Sequence, residues 1–276
     1  MSVEAITSKS KNNDPVWERI IEETRLDAEQ EPALASFLHA TILNHDTLEA
    51  ALSFHLATKL ASPAVSALQI REIIENSMQR SCGIGNAARA DILAIYQRDS
   101  ACEAYSLPFL YFKGFQALQA YRVANCLWNN NRRSMALFLQ SHISMVFNVD
   151  IHPAATIGKG IMLDHATGIV IGETCVIEDD VSIMQSVTLG GTGKTGGDRH
   201  PKIRRGSMIS AGTKILGNIE VGEGAKVGAG SVVLDSVAPH TTVVGVPARA
   251  VGHPKTNAPA LEMNQNINCD CDGELP

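Results

Sequence analysis

Aromatic residues are missing from almost half of this sequence. All thirteen Trp, Tyr and Phe residues lie between Trp17 and Phe147, and positions 148–276 contain none. Glycine has the opposite distribution, because only three of the 22 glycines precede residue 148 and the others begin at Gly158. This change in composition predicts a domain boundary near residue 148.

Long apolar runs and export signals are missing as well. No stretch approaches the roughly 18 to 20 apolar residues that a membrane-spanning helix needs. The N-terminus, MSVEAITSKSKNNDP, lacks the basic start, apolar core and small-residue cleavage site of a secretory signal. The sequence therefore predicts a cytoplasmic protein with no membrane partner.

Cysteine pairs and basic runs are also absent, which narrows the chemistry. The six cysteines form no CxxC and no framework spacing, which disfavours a disulfide scaffold and a structural zinc site. The 23 basic and 29 acidic residues give a net charge of −6, without a basic run that could neutralise successive nucleic-acid phosphates. We therefore expect no metal and no nucleic-acid partner.

The residues that are present describe a folded globular chain whose first part is helical. Of the 276 residues, 45% are apolar and 19% charged, which is enough to bury the core of one or two domains. Asp14-Pro15 and Ser62-Pro63 each place a capping side chain before a proline that suits a first helical turn. We expect six to eight helices in a domain spanning 1–147.

One helical segment stands out by its apolar pattern. Between Leu110 and Trp128, apolar residues recur every three or four positions. This spacing predicts a broad apolar face that packs against other helices or against another subunit.

The second part has a period of six. Aliphatic residues recur at this interval, with one shift of two, at Ile151, Ile157, Leu163, Ile169, Ile171, Ile177, Ile183, Leu189, Ile203, Ile209, Ile215, Val221, Val227 and Val233. Small residues often follow directly, at Gly158, Gly172, Gly222 and Gly228. Three hexads make one triangular coil of a parallel β-helix, in which aliphatic side chains stack inward and small residues let the backbone turn the corners. The alternative, short strands of a sandwich, would not keep this phase.

The repeat is interrupted once, between Leu189 and Ile203. The intervening GGTGKTGGDRHPK predicts an extruded loop whose polar end could meet an anionic ligand, and a merely solvated loop is the alternative. Its glycines match GxGxxG, but no βαβ unit surrounds them. The GKT at 193–195 lacks the first glycine of a Walker A motif, because position 188 is Thr188. Both nucleotide motifs are therefore rejected.

With these features in place, the chain closely resembles the serine acetyltransferases, hexapeptide-repeat enzymes that make O-acetylserine for cysteine synthesis. The resemblance is carried by KGFQALQAYR, LDHATG, GGDRHP, AGTKILGNIEVG and GVPAR. It implies an α+β chain in which an all-helical domain precedes a left-handed parallel β-helix at 148–253. Residues 254–276 lose the six-residue phase and are rich in Asn, Asp and Pro, which predicts a flexible tail.

The family resemblance also assigns the reacting groups. A serine hydroxyl needs a base to attack a thioester, and the family's base corresponds to His165, oriented by Asp150. A lone histidine would more often be a core residue, but this one lies within the matching LDHATG. Asp99 and Asp164 correspond to the residues that hold the serine ammonium, and Arg199 with His200 to those that hold its carboxylate. Direct transfer without an acyl-enzyme is implied.

Further implications concern the co-substrate and the partners. Acetyl-CoA is expected in a groove between prisms, and its candidate contacts are Gly191, Ala211, Lys226, Ala229 and Arg249. The family implies a trimer, or a hexamer made of two trimers through the helical domains, with feedback inhibition by L-cysteine. Docking on O-acetylserine sulfhydrylase is in doubt, because the chain ends in Pro276 where many family members have isoleucine.

Three other functions compete with this one. The same chemistry could serve another hydroxyl acceptor, such as homoserine or a sugar, although a sugar has less use for paired acidic and basic groups. A prism-type carbonic anhydrase would need three zinc-binding histidines with suitable spacing. His152, His165 and His200 are the only candidates before His240 in the prism and no HxxxxH pair exists, which disfavours this function. A non-catalytic scaffold is the third.

Overall fold

The computed structural model describes residues 14–80, 83–194 and 196–267. Before residue 148, the described residues form eight α-helices, as the sequence predicts: α1 Pro15–Gln30, α2 Ala35–Leu38, α3 Leu48–Leu60, α4 Ala67–Gln79, α5 Ile84–Arg98, α6 Ser106–Tyr111, α7 Lys113–Asn129 and α8 Arg133–Phe147. A π-helical turn, His39–Leu43, follows α2 directly. None of the helices in the described ranges is long and apolar enough to cross a membrane.

The capping signals place one helix start correctly and one wrongly. Asp14 caps α1, because its Oδ1 accepts a hydrogen bond from the backbone N–H of Trp17 at 3.2 Å. No helix begins at Pro63. Ser66 caps α4 instead, through a capping box with Gln69 in which each side chain accepts a hydrogen bond from the other residue's backbone N–H. This reciprocal pair of bonds fixes the start of α4.

Helix α7 lies at the centre of the helical part. Its residues from Gly114 to Ala124 are all buried, and it packs against α4, α5, α6 and α8 of the same chain. The apolar face predicted between Leu110 and Trp128 is thus largely covered by other helices of the same chain.

The residues after Asn148 form the parallel β-helix, which we call the prism. Its first coils contain β1 Val149–Ile151, β2 Thr156–Ile157, β3 Met162–Asp164, β4 Ile169–Ile171, β5 Val176–Ile177, β6 Ser182–Met184 and β7 Thr188–Gly190. The later coils contain β8 Lys202–Ile203, β9 Met208–Ile209, β10 Lys214–Leu216, β11 Glu220–Val221, β12 Lys226–Val227, β13 Val232–Val233 and β14 Thr242–Gly245, and β15 Ala248–Gly252 pairs antiparallel with β14.

The strands form three sheets, one for each side of the prism. The first sheet has the order β1-β4-β7-β10-β13, the second β11-β8-β5-β2, and the third β15-β14-β12-β9-β6-β3. Residues of the six-residue series lie directly over one another, as Ile151 over Ile171 and Leu163 over Ile183. The predicted stacking is confirmed, because thirteen of these fourteen aliphatic side chains are buried in one interior and Ile157, which is partly buried, packs against it.

The small residues of the hexads serve a different purpose from the one predicted. Gly158, Gly172, Gly222 and Gly228 do not adopt a positive φ. A Cβ at Gly158 would lie 2.3 Å from the carboxylate of Asp179 in the next coil. These glycines therefore allow neighbouring groups to approach closely, and other residues turn the corners.

The chain after the last strand returns across the third sheet. A short helix, α9 Pro259–Glu262, packs against α5 and β9. Ala260 is fully buried, and its backbone N–H donates to the carbonyl of Gly206 at 3.2 Å. The flexibility expected for 254–276 stays a prediction, and Cys269, Cys271 and Pro276 lie outside the described residues.

Candidate active site

A cavity of about 460 Å³ lies where the helical part meets the prism. It is bounded by the end of α5, the start of α7 and the end of β3. We call it the helix–prism cavity, and its polar lining is Asp99, Tyr111, Lys113, Asp164 and His165. Three of the residues that the sequence singled out thus meet in one place, contributed by two parts of the chain.

His165 is carried by a tight turn that follows β3. The φ angles of His165 and Ala166 are 53° and 61°, in the left-handed region where a side chain costs about 1–2 kcal/mol per residue. The turn is held by neighbouring backbone, since Gly168 donates to the carbonyl of Asn148 at 2.8 Å. The His165 side chain is 74% exposed, so its imidazole is accessible from the cavity side.

Asp164 is the acidic group closest to this imidazole. Its Oδ1 lies 3.8 Å from Nε2 of His165. Burial raises the pKa of Asp164, the His165 side chain lowers it, and the negative charge of Asp99 raises it again. The two carboxylates are therefore near enough to repel each other, and a cationic group bound to both would relieve this repulsion.

Asp99 reaches the cavity from the end of α5. It is the residue directly after Arg98, and its Oδ1 accepts a hydrogen bond from the backbone N–H of Ala101 at 2.9 Å. This bond holds the carboxylate in place just after the C-terminal end of α5. The sequence left open whether Asp99 is an ordinary helix-end acid, and the structure places it on the cavity wall.

The start of α7 touches the turn that carries His165, at Gly114. A Cβ at this position would lie 2.1 Å from the carbonyl oxygen of Leu163 and 3.0 Å from the Cβ of Ala166. Both are parts of rigid local structure, so a larger residue must displace the turn.

We expect Gly114→Ala to lower kcat by about tenfold to a hundredfold, because a shift of about 1 Å in a catalytic group has an effect of this size. Steady-state kinetics on the folded variant measure it. Gly193→Ala is the control, since a Cβ at Gly193 meets nothing within 4 Å. Equal activity of the two variants would contradict the tight contact.

A second group of polar residues lies on a different side of the prism. We call it the Arg199 cluster, and it consists of Asp150, His152, Glu173, Arg199 and His200. Arg199 comes from the predicted loop, which leaves the prism between β7 and β8, and its guanidinium contacts Glu173 Oε2 at 2.5 Å. This ion pair lowers the pKa of Glu173. Burial lowers the pKa of His152, and the negative charges of Glu173 and Asp150 oppose this shift only in part.

His200 is packed against the coil beneath the loop. Its side chain is 7% exposed, and its Nδ1 lies 2.9 Å from Thr174 Oγ1. A Cβ at Gly172 would lie 2.1 Å from His200 Cδ2, so the imidazole rests on this glycine. Burial and the charge of Arg199 both lower the pKa of His200.

The predicted orienting partner of His165 lies elsewhere in this chain. Asp150 is the middle residue of β1, in the first sheet, and its Oδ1 accepts a hydrogen bond from Gln140 Nε2 at 2.8 Å. No hydrogen bond or ion pair joins Asp150 to His165 within the described chain, and the acid nearest to His165 is Asp164. Gln140, Glu173 and Thr174 also belong to this region, and no motif in the sequence gives a signal for them.

One corner of the prism continues from the His165 turn through the later coils. Backbone hydrogen bonds join successive coils at this corner: Ser186 N–H donates to the carbonyl of Thr167 at 2.8 Å, and Gly230 N–H donates to the carbonyl of Ala211 at 2.8 Å. Ala211 and Ala229 therefore lie along the same edge. Gly191 lies apart from it, because a Cβ there would be 3.6 Å from His200 Nε2.

The two basic candidates for phosphate binding differ in their surroundings. The Lys226 ammonium is buried against the returning C-terminal chain and donates to the carbonyls of Asn264 at 2.6 Å and Asn266 at 2.7 Å. Burial lowers the pKa of Lys226. Arg249 is exposed on β15, 3.9 Å from Asp235. The described residues contain no group of three or more His, Cys, Asp or Glu arranged to hold a metal ion.

Comparison with known proteins supplies the class. The N-terminal model of serine acetyltransferases matches residues 16–120, and the bacterial transferase hexapeptide model matches 200–235. Together with the three-sided prism and a histidine in an open cavity, these matches define an acyltransferase of the hexapeptide-repeat class. The serine acetyltransferase of Salmonella typhimurium is 62% identical over 92% of this chain and 93% of its own length. The chain therefore belongs to the serine acetyltransferase family.

Solved structures agree with this assignment. A serine acetyltransferase in complex with cysteine has a TM-score of 0.90 and 58% identity, covering 92% of this chain and 99% of that one. The Brucella abortus enzyme in complex with coenzyme A has a TM-score of 0.87 and 48% identity, covering 89% and 98%. The predicted fold, an all-helical part before a left-handed hexapeptide β-helix of about five coils, is confirmed.

Proposed function

We propose that this enzyme transfers the acetyl group of acetyl-CoA to the hydroxyl of L-serine, giving O-acetyl-L-serine and CoA in cysteine biosynthesis, with His165 as the general base. The observation that carries the proposal is the helix–prism cavity, where an accessible imidazole lies beside two carboxylates. Mass spectrometry of a reaction with L-serine and acetyl-CoA should show O-acetylserine. Consumption of acetyl-CoA without this product would overturn the proposal.

The reaction proceeds by direct attack. His165 accepts the proton of the serine hydroxyl as its oxygen bonds to the thioester carbon, and the tetrahedral adduct then expels the CoA sulfur, which takes up a proton. A covalent intermediate on the prism cysteine has no support, because burial raises the pKa of Cys175 to about 12. A thiol with this pKa is almost entirely protonated at neutral pH and is a poor nucleophile.

The zwitterion of serine explains the two sets of charged groups. Asp99 and Asp164 would bind its ammonium from two sides of the cavity, and Arg199 with His200 would bind its carboxylate. In one chain these two sets lie on different sides of the prism. We therefore infer that a neighbouring prism of a homotrimer supplies the Arg199 cluster, including Asp150, to the cavity of the next subunit.

Subunit mixing tests this sharing. His165→Asn and Arg199→Met should each be inactive alone, whereas their coexpression should restore activity, because mixed trimers contain interfaces with both native residues. The expected recovery is clearly above the sum of the two variants. Matched coexpression of His165→Asn with itself is the control, and no recovery in the mixture would place all these groups in one subunit.

Acetyl-CoA is proposed to lie along the corner that runs from His165 past Ala211 and Ala229, with its thioester at the imidazole. Arg249 is free of buried partners and is available to a phosphate. Lys226 would have to release the carbonyls of Asn264 and Asn266 to do the same. Gly191, next to His200, would then approach the co-substrate from the neighbouring prism.

Regulation and assembly are proposed on the same basis. L-Cysteine carries the ammonium and carboxylate of serine and would occupy the same cavity as a feedback inhibitor, in keeping with the cysteine complex of a relative. Pairing of two trimers through the helical parts would give a hexamer. The cytoplasm is the proposed compartment.

A further inference from the structure

The proposed ammonium site is assembled from two parts of the chain that are far apart in sequence. Asp99 ends α5, while Asp164 ends β3 in the prism. Two carboxylates bind one ammonium well only if their separation is held within narrow limits. Something at the junction of α5 and the prism must therefore set this separation.

Arg98 occupies this junction, directly before Asp99. Its side chain is 3% exposed. One terminal nitrogen donates to the carbonyl of Gly160 at 2.9 Å and to Ser182 Oγ at 3.2 Å, and the other donates to Asp180 Oδ1 at 3.4 Å. All three acceptors belong to the prism.

The planar guanidinium thus fastens the last residue of α5 to two successive coils. Gly160 lies between β2 and β3, and Ser182 begins β6, the strand paired with β3. Ser182 Oγ in turn donates to the carbonyl of Ala260 at 2.9 Å. A lysine could carry the same charge, but a single ammonium lacks the fixed fork of donors that reaches these acceptors together.

We propose that Arg98 is a positioning residue for acceptor recognition, which sets Asp99 against Asp164 so that the two carboxylates bind the ammonium of the acceptor. The inference rests on the proposed serine acetylation at this cavity. Arg98 itself does not line the cavity. Its effect is confined to the placement of Asp99.

Arg122 provides a matched control in the same chain. It is also buried, extends from α7, and donates to the carbonyls of Ile157 at 3.3 Å and Gly158 at 2.7 Å in the same part of the prism. It pairs with the fully buried Asp91 at 2.7 Å. None of these three partners lines the helix–prism cavity, and Asp91 lies earlier on α5 than Asp99, so loss of Arg122 weakens the same junction at a distance from the Asp99 carboxylate.

The experiment compares Arg98→Lys and Arg122→Lys with the native enzyme, using L-serine and 3-hydroxypropionate as acceptors. The second acceptor lacks the ammonium. The ratio of kcat/KM for L-serine to kcat/KM for 3-hydroxypropionate, called the acceptor ratio, therefore measures ammonium recognition. We expect Arg98→Lys to raise the KM for serine and to lower this ratio, each by about tenfold, with kcat and the KM for acetyl-CoA within about threefold of native values. Arg122→Lys should lower thermal stability while keeping the native ratio.

Two results would overturn the inference. A native acceptor ratio in folded Arg98→Lys would reduce Arg98 to a structural role, and an equal loss in Arg122→Lys would show that any weakening of the junction has this effect. If Arg98→Lys does not fold, Ser182→Ala removes one of its acceptors and should lower the ratio in the same direction by a smaller factor. A native enzyme that does not acetylate serine at all would instead contradict the proposed function.

Discussion

The variant His165→Asn is expected to lose kcat by about a thousandfold while keeping its fold, because removal of a general base has an effect of about 10² to 10⁴. Asparagine is chosen because it tolerates the left-handed φ of 53° better than alanine does. The side chain is 74% exposed, so little packing is lost. Turnover at saturating serine and acetyl-CoA measures the loss.

His240→Asn is the matched control for this prediction. His240 also has a left-handed φ, 51°, and is exposed on the prism, but it lies away from the helix–prism cavity. It should retain native turnover. A loss of less than about tenfold in His165→Asn would exclude His165 as the base.

The second large effect is expected from Asp164→Asn, which should lower kcat/KM for serine by about a hundredfold. A charged hydrogen bond to the acceptor ammonium contributes about 2–3 kcal/mol, and each tenfold change corresponds to about 1.4 kcal/mol. The KM for acetyl-CoA should stay native, because the loss is confined to the acceptor.

The pH dependence provides a separate check on Asp164. Burial and the neighbouring Asp99 raise the pKa of Asp164, so its charge is lost on acidification earlier than that of an ordinary aspartate. The native kcat/KM for serine should therefore fall at acidic pH more steeply than that of Asp164→Asn. Glu223→Gln, an exposed acid on another corner, should behave as the native enzyme. Identical pH profiles for the native enzyme and Asp164→Asn would contradict this role.

The prism was predictable because its signal is repetitive. Each aliphatic residue of the six-residue series has an equivalent one coil away, as Ile171 has Leu189, and the buried interior admits only that register. The helix boundaries were less certain, since Ser62 and Ser66 both fit the pattern of a cap. Only the bond that the Ser66 backbone N–H donates to Gln69 Oε1 distinguishes them, and it depends on side-chain geometry.

The site was predictable in part. The LDHATG motif located Asp164 and His165, and the family resemblance assigned Asp99, more than sixty residues earlier, to the same site. The structure places all three on one cavity wall. The packing of His200 on Gly172 depends on where the loop returns to the prism, which no local pattern encodes. The separation of Asp150 from His165 likewise follows from the placement of β1 and β3 in different sheets.

The most direct test of the central claim is the release of free thiol from acetyl-CoA, measured with L-serine, homoserine, threonine, a galactoside or no acceptor. The account predicts a strong preference for L-serine. A galactoside lacks the ammonium and carboxylate that the two charged sets would bind, homoserine carries its hydroxyl one methylene farther from them, and threonine adds a methyl group on the hydroxyl carbon. Equal background rates with all acceptors would contradict it.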